Sequence, residues 1–306
     1  MNYHIINRAK NAVKTILQLI LNVAVSAISL VRVLIYTRFR KTDTSICIDQ
    51  KSRLAIVGNG PSLGRDLNLI LDKVNDYNFM VVNDFALTEL YEKVEPAYYF
   101  FLDDYYWCDE VDSTVENILS RKELFKTIKN KTIWNLNIII PKSASLTLVF
   151  QREFGNNENI NIRTYNSIPF EGFKKIEYLL YDYGLAAPRS QNVLVASLYY
   201  GILMNYKNIY LLGADHDWLS NIKVDKLNRV CLKATNYGQE NQAEYSPWLT
   251  YNGTQYDMAE VLRDLSKMFS GYKAVQSYSI YRGTTIYNVT KDSFIDSFKR
   301  VPYEKK

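Results

Sequence analysis

From residue 51 onward, short apolar runs alternate along the chain with longer segments in which apolar residues recur at helical spacing. Short apolar runs that end in Gly, Asn or Asp are typical of buried parallel strands, and the longer segments between them predict helices. The predicted strands are 54–57, 79–82, 97–102, 132–140, 161–164, 208–212 and 286–288, and the predicted helices are 67–74, 86–93, 193–204 and 258–269. This alternation predicts an α/β fold, with a Rossmann-like, mainly parallel sheet and helices on both of its faces.

The first 45 residues follow a different pattern. Residues 16–35 read ILQLILNVAVSAISLVRVLI, an apolar run about as long as a membrane-spanning helix. The polar positions of this region recur at spacings of four, four, four and three, and they are Lys14, Gln18, Asn22, Ser26 and Ser29. Such spacing places them on one stripe of a helix, which favours an amphipathic helix lying in a membrane surface. The alternatives are a membrane-spanning helix and a helix that packs in the core or in a homo-oligomer.

Charge and cysteine content narrow the class of protein. The net charge is +5, and seven basic residues but no acidic residue lie in the first 41 positions. The other basic residues are scattered, so nucleic acid is not an expected partner. Cys47, Cys108 and Cys231 are far apart and form no C-x-x-C motif. This indicates a reducing compartment and excludes a cysteine-based zinc cluster.

The stretch LAIVGNGPSL, 54–63, breaks from a strand pattern directly into a glycine turn. Glycines allow a sharp turn, and Pro61 suits the first turn of a helix. A strand, a tight turn and a helix start together predict free N–H groups that bind a phosphate or another anion. The spacing fits neither standard phosphate motif, because Leu63 stands at the third glycine position and no Gly-Lys-Ser/Thr follows. An ordinary strand-to-helix turn is therefore the alternative.

Polar residues also gather where several predicted strands end. They are Asn59, Asn83, Asp84, Asp103, Asp104, Asp215, His216 and Asp217. In open parallel sheets, ligands bind in the crevice beyond the carboxyl ends of the strands, so these positions predict a binding site. Asn and Asp also favour turns on their own account, which is the alternative for each residue taken singly.

Three blocks of the sequence resemble the bacterial sialyltransferases of glycosyltransferase family 42. The blocks are VGNGPSL at 57–63, VVND at 81–84 and NYKNIYLLGAD at 205–215, and they occur in the order in which that family has them. The resemblance spans residues 54–218 and implies a Rossmann-like domain of a GT-A-like variant with a small lid region. It also implies transfer of sialic acid or a related sugar from a CMP- or UDP-linked donor, without a metal or another cofactor.

The resemblance assigns roles to particular residues. It implies that Gly58, Asn59 and Gly60, in the turn that ends at Ser62, hold the nucleotide phosphate. Asn83 would contact the nucleotide or the sugar, Asn192 the donor, and Asp215 the ribose or the base. We therefore expect a membrane-associated helix over 1–45 and a nucleotide-sugar-binding glycosyltransferase domain over 50–306.

The chain departs from this family at the catalytic base. His216, Asp217 and Trp218 stand where the family has a tyrosine shortly after the aspartate, and the only other histidine is His4. An inverting transferase needs a base for the acceptor hydroxyl, and the candidates are His216, Asp217 and Asp103. His216 is the first candidate because the ordinary pKa of imidazole, about 6.5, suits proton transfer near neutrality.

Other functions fit parts of the same pattern. Asp215 and Asp217 form a D-x-D pair, which in metal-dependent transferases holds a divalent cation on a UDP-sugar. A phosphoryl or pyrophosphoryl transferase and an inactive nucleotide-binding partner are the further alternatives. For the transferase we expect a capsule, lipopolysaccharide O-antigen or lipid-linked glycan as acceptor. The expected location is the bacterial cytoplasm, on the inner face of the cytoplasmic membrane.

Overall fold

A computed structural model of the chain describes residues 2–44, 52–108, 115–233, 235, 237–238, 244–250 and 253–301. The chain forms two compact units, one made of 1–42 with 166–189 and the other of 43–165 with 190–306. We call them the helical unit and the sheet unit. The division at residues 45 and 50 expected from the sequence stays a prediction.

The helical unit contains helix α1 (Asn2–Thr37) and helix α6 (Lys174–Asp182). Two serines of the predicted polar stripe accept backbone hydrogen bonds within this unit: Ser26 Oγ from the N–H of Phe173 at 2.9 Å, and Ser29 Oγ from the N–H of Glu171 at 3.2 Å. Around Ser26 and Ser29, the polar stripe of α1 therefore contacts other residues of the helical unit. Residues 10–37 are long and apolar enough to cross a membrane, with a mean hydropathy of 2.1 and 11% of the window buried.

Within its described residues, the sheet unit is built on eight parallel strands. In chain order they are β1 (Arg53–Val57), β2 (Tyr77–Val82), β3 (Tyr98–Phe100), β4 (Leu136–Pro141), β5 (Ile160–Tyr165), β6 (Asn208–Leu212), β10 (Thr285–Asn288) and β11 (Lys299–Arg300). Their order in space is β11-β10-β6-β1-β2-β3-β4-β5. A small antiparallel sheet follows β6, formed by β7 (Ile222–Val224), β8 (Val230–Leu232) and β9 (Ser246–Pro247).

Helices cover both faces of the large sheet. They are α2 (Leu63–Asn68), α3 (Tyr91–Val94), α4 (Val115–Lys131), α5 (Val149–Phe154), α7 (Val193–Leu203) and α8 (Met258–Arg282). On one face, Gly201 of α7 lies against the side chains of Leu54 and Ile56 of β1. On the other face, residues of α2, α4 and α5 form one core cluster with Val57 of β1 and Phe79 of β2. The predicted α/β fold, with a mainly parallel sheet between helices, is confirmed.

Three predicted helices differ from the observed ones, and the one predicted at 258–269 is the longer helix α8, which continues to Arg282. The segment predicted at 67–74 begins earlier, as α2, and continues as a 3₁₀ helix over Leu71–Asp76. The segment predicted at 86–93 is a 3₁₀ helix over Asn83–Leu87 followed by the short α3. Both segments turn tightly because they join adjacent parallel strands over a short length of chain, which leaves little room for regular helix.

The strand order reverses between β1 and β6. Strands β1 to β5 run outward to one side of the sheet, and β6, β10 and β11 run to the other side. The carboxyl ends of β1 and β6 thus lie side by side at the point of reversal. In open α/β sheets this reversal is where ligands bind.

Candidate functional site

The glycine turn after β1 packs directly against the turn after β6. Gly58 N–H donates to Leu212 O and Gly60 N–H donates to Gly213 O, both at 2.9 Å. A Cβ atom added at Gly58 would lie 2.6 Å from Gly213 O, so the two backbones approach as closely as glycine permits. These N–H groups are already paired, which differs from the free phosphate-binding donors expected from the sequence.

Asp215, at the end of the β6 turn, also contacts the β1 turn. Its Oδ2 lies 2.8 Å from Ser62 Oγ and 3.4 Å from Ser62 N, which donate hydrogen bonds to it. Burial raises the pKa of the Asp215 carboxyl group, although the hydrogen bonds from Ser62 favour its ionised form. In this arrangement Asp215 joins the two turns. Contact of Ser62 and Asp215 with a nucleotide stays a prediction.

Asp66, which the sequence reasoning did not single out, holds this junction from beneath. Its side chain is fully buried. Its Oδ2 accepts hydrogen bonds from Gly213 N–H at 3.1 Å and from Thr290 Oγ1 at 2.6 Å, and Ser62 Oγ lies 3.0 Å away. In the sequence, Asp66 is marked only by its place in the first turn of a helix. Acidic residues are common at that place, so the sequence does not distinguish Asp66 from an ordinary first-turn residue.

A cavity of about 100 Å³ opens above this junction; we call it the crevice cavity. It is lined by Gly58, Asn59, Gly60, Pro61, Val82, Asn83, Asn192, Val193, Leu194, Gly213, Asp215, His216, Asp217, Trp218 and Thr235. The structure thus brings together all the sequence-predicted site residues except Ser62, which reaches it through Asp215, and Asp103. Their assigned roles stay predictions.

Two asparagines leave unused hydrogen-bond capacity in the crevice cavity. The Oδ1 atoms of Asn59 and Asn83 are buried and have no hydrogen-bond partner in the part of the chain that the structure describes. A buried polar atom without a partner costs free energy, and a ligand with hydroxyl or amino donors would remove that cost. Asn83 has φ of 51°, a left-handed conformation that asparagine tolerates better than most residues.

The described lining of the crevice cavity is rich in acceptors. Asp215 and Asp217 contribute carboxyl groups, and no Lys or Arg is among the described residues that line it. The positive end of a helix dipole faces the cavity instead, because α7 begins at its wall. Asn192 caps that helix, with its Oδ1 accepting the Leu194 N–H at 2.8 Å. A ligand that matches this lining carries several hydrogen-bond donors.

His216 lies in the wall of the crevice cavity but is only 7% exposed. Its Nε2 lies 2.6 Å from Tyr272 Oη, and its ring lies 4.6 Å from that of Trp218 between centroids. Burial lowers the pKa of His216 from 6.5 to about 3. The imidazole is therefore neutral at pH 7, and the near-neutral pKa on which the sequence argument relied is not found. His216 as the base stays a prediction.

The two carboxylates offered as alternative bases occupy different places. Asp217 lines the crevice cavity, and its Oδ2 accepts a hydrogen bond from Asn221 Nδ2 at 2.7 Å. Asp103 follows β3 outside that lining. Although part of the residue is exposed, desolvation and the nearby carboxylates of Asp104 and Asp84 raise the pKa of its carboxyl group. Asp217 is thus the carboxylate nearer to the predicted donor site.

Within the described residues, no group of three or more His, Cys, Asp and Glu side chains is arranged to hold a metal ion. Asp215 and Asp217 line the same cavity as a pair, and Asp215 already accepts hydrogen bonds from Ser62. A cation held by this pair would need its remaining ligands from a donor phosphate and water.

A second cavity, of about 220 Å³, adjoins the first; we call it the aromatic cavity. It is lined by Gln191, Asn192, Trp218, Trp248, Tyr256, Val261, Asp264, Leu265 and Met268. Asn192 and Trp218 line both cavities. The sequence reasoning missed this site, because its aromatic residues lie far apart in a chain that contains 25 tyrosines.

Comparison with known proteins adds little to this geometry. No model of a known protein family matches the chain, and no curated protein matches it. Among solved structures, the chain is similar to the MAf glycosyltransferase from Magnetospirillum magneticum AMB-1, with 11% sequence identity and a TM-score of 0.49. The match covers 85% of this chain and 35% of that one, so this chain spans about a third of that protein. At this similarity we draw no functional conclusion from the match.

Proposed function

We propose that the protein is a glycosyltransferase that binds a nucleotide sugar in the crevice cavity and transfers the sugar to a glycan. The observation that carries this proposal is a pair of buried oxygens, Asn59 Oδ1 and Asn83 Oδ1, which have no hydrogen-bond partner among the described residues and lie where the strand order reverses. That point is the usual nucleotide site of such sheets. Ribose, sugar and base-amine donors are the groups that such acceptors bind.

Different site residues would contact different parts of the donor. Asn59 and Asn83 accept hydrogen bonds from the nucleoside or from the sugar. The N-terminus of α7, capped by Asn192, lies on the side where the negative phosphate is stabilised. Gly58 and Gly60 keep the two turns close and so fix the position of Asn59 between them.

We assign the base to Asp217. It removes the proton of an acceptor hydroxyl, the hydroxyl oxygen bonds to the anomeric carbon, and the bond from that carbon to the donor phosphate breaks, so the nucleotide leaves with the electron pair. His216 is a weaker candidate, because its Nε2 is engaged by Tyr272 and its pKa is about 3. His216 then serves to hold Trp218, against which its ring packs.

The donor proposed first is CMP-sialic acid or a related sugar, because three sequence blocks resemble the family that uses it. The test is a panel of CMP-sialic acid, UDP-glucose, UDP-galactose and UDP-N-acetylglucosamine, each incubated with the full-length protein in mild detergent and a mixture of methyl glycosides. Release of nucleotide with one donor, lost in Asn83→Ala, is the expected result. No release with any donor, together with phosphoryl transfer from ATP, would replace the proposal by the phosphotransferase alternative.

A metal-dependent reaction is the second candidate. Asp215 and Asp217 line one cavity whose described lining carries no Lys or Arg, and a divalent cation would balance their charge against a diphosphate donor. Treatment with EDTA separates the two cases. Transfer that persists in EDTA supports the metal-independent reaction, and transfer that is lost and then restored by Mn²⁺ supports the D-x-D reaction.

We also propose that α1 attaches the protein to the inner face of a bacterial cytoplasmic membrane, where a lipid-linked glycan would be the acceptor. The supporting observation is the exposure of its apolar side chains, including Leu17 at 61% and Ile28 at 70%. Burying that surface in lipid is favourable. A membrane-spanning helix and a contact within a homo-oligomer are the other arrangements that would cover it.

A further inference from the structure

We propose that the aromatic cavity is the acceptor subsite, where a single pyranose ring of the glycan stacks before it receives the donor sugar. This inference rests on the proposed glycosyl transfer and names where the second substrate binds. The aromatic cavity has a volume of about 220 Å³, larger than the crevice cavity of about 100 Å³ that it adjoins.

The lining of the aromatic cavity matches the two kinds of surface that a pyranose presents. Trp218, Trp248 and Tyr256 supply aromatic surface, and Val261, Leu265 and Met268 supply apolar surface. The C–H face of a sugar ring packs on such surfaces, while its hydroxyl groups need hydrogen-bond partners at the edge. Gln191 and Asp264 lie at the polar part of this lining and can accept those bonds.

Backbone hydrogen bonds hold the segments that carry Trp248 and Tyr256. Trp248 N–H donates to Val230 O at 2.8 Å, and Tyr256 N–H donates to Trp248 O at 3.0 Å. Gln255 Nε2 reinforces this turn by donating to Val230 O at 2.9 Å and to Trp248 O at 3.1 Å. A surface that is ordered before the ligand arrives loses less conformational entropy on binding.

The aromatic cavity lies next to the crevice cavity, where the proposed donor binds. Asn192 and Trp218 form part of both walls, and Asp217, the proposed base, directly precedes Trp218. A sugar ring in the aromatic cavity therefore presents a hydroxyl group toward the crevice cavity, where the donor carbon and the base would be. A donor and an acceptor held side by side in this way react as one bound pair.

The experiment compares Trp248→Ala with Tyr281→Ala, an exposed aromatic residue of α8 outside the cavity lining. Saturation-transfer NMR with methyl glucoside, methyl galactoside and N-acetylglucosamine measures sugar binding in the absence of any donor. We expect at least one glycoside to bind wild type and Tyr281→Ala, and its affinity to fall at least tenfold in Trp248→Ala. Trp248→Phe, which keeps an aromatic face, should recover part of the binding.

Hydrolysis of the donor is measured separately, as the release of nucleotide when no acceptor sugar is present. Trp248→Ala should raise the acceptor KM at least tenfold, and Tyr281→Ala should leave both the acceptor KM and this hydrolysis within twofold of wild type. Equal glycoside binding by wild type and a folded Trp248→Ala, or preferential binding of a short alkyl detergent at this site, would overturn the subsite. Absence of donor turnover in wild type would instead overturn the proposed function, even where glycoside binding is seen.

Discussion

A Cβ atom placed on Gly60 would lie 2.0 Å from Oδ2 of Asp215 and 2.7 Å from Gly213 O. The turn after β1 thus has no space for a side chain, because the turn after β6 fills it. The sequence predicted that this turn holds a phosphate, but protein atoms of Gly213 and Asp215 fill the space beside Gly60. Gly60 therefore acts on the site through the contact between the two turns.

Substitution Gly60→Ala should both destabilise the protein and weaken nucleotide binding. Overpacking of this kind costs about 1–3 kcal/mol, because the β6 turn must move away. We expect a loss of that size in urea unfolding and a nucleotide affinity at least tenfold weaker. Leu146→Ala is the control, since Leu146 is 82% exposed and the change should leave both quantities nearly unaltered. Full nucleotide affinity in Gly60→Ala would show that the turn contact does not position the site.

The buried imidazole of His216 should make stability depend on pH. Its pKa is about 3 when folded and about 6.5 when unfolded, so between these values the unfolded chain binds the extra proton. This contribution is complete above pH 6.5 and is lost as the pH falls toward 3. Between pH 7 and pH 5 the free energy of unfolding should therefore fall by about 2 kcal/mol.

His216→Gln is the variant that tests this pH effect, because a glutamine amide can still bond to Tyr272. Urea unfolding at pH 5 and pH 7 should show wild type losing about 2 kcal/mol more than the variant. The same change in both proteins would mean that His216 keeps an ordinary pKa when folded.

Removal of the Asp217 carboxylate should slow sugar transfer more than nucleotide binding. A general base contributes about 10²- to 10⁴-fold to a rate, so Asp217→Asn should lower kcat at least a hundredfold with little change in donor affinity. Asp103→Asn is the matched control, because Asp103 lies outside the crevice lining. A larger loss in His216→Gln than in Asp217→Asn would return the base to His216.

The apolar surface of α1 should decide where the protein is found. The triple substitution Leu17→Gln, Leu21→Gln and Ile28→Gln changes side chains that are 55–70% exposed, so it should preserve the fold. We expect most of the protein to leave the membrane fraction after carbonate-free fractionation. Leu146→Gln, at a position 82% exposed in the sheet unit, is the control and should not change the distribution. Unchanged membrane association of the triple variant would assign attachment to another segment.

The sequence pattern predicted the central strands of the sheet well because they are continuous apolar runs. Strands β1, β2 and β6 and helix α7 lie close to the predicted ranges, since burial on both faces leaves a strong signal. Helix α4 was missed because its sequence, VENILSRKELFKTIKNK, is mostly polar and buries only a few side chains such as Phe125. Its helical form depends on packing that a local pattern does not record.

The candidate site was predicted as a set of positions but not as a set of contacts. Residues at strand ends meet because parallel strands share one edge, and this brought Asn59, Asn83 and Asp217 together as expected. The pairing of Asp215 with Ser62 and the low pKa of His216 depend on burial and distance. Neither follows from the order of residues along the chain.

The three-way contact at Asp66 has a consequence for how the protein folds. Its carboxyl group bonds to Gly213, 147 residues later in the chain, and to Thr290, 224 residues later. Contacts between such distant segments close large loops and form slowly. During synthesis, the junction beneath the crevice must wait until Thr290 has left the ribosome, so strands β1 to β5 emerge well before Asp66 can make its contacts with Gly213 and Thr290.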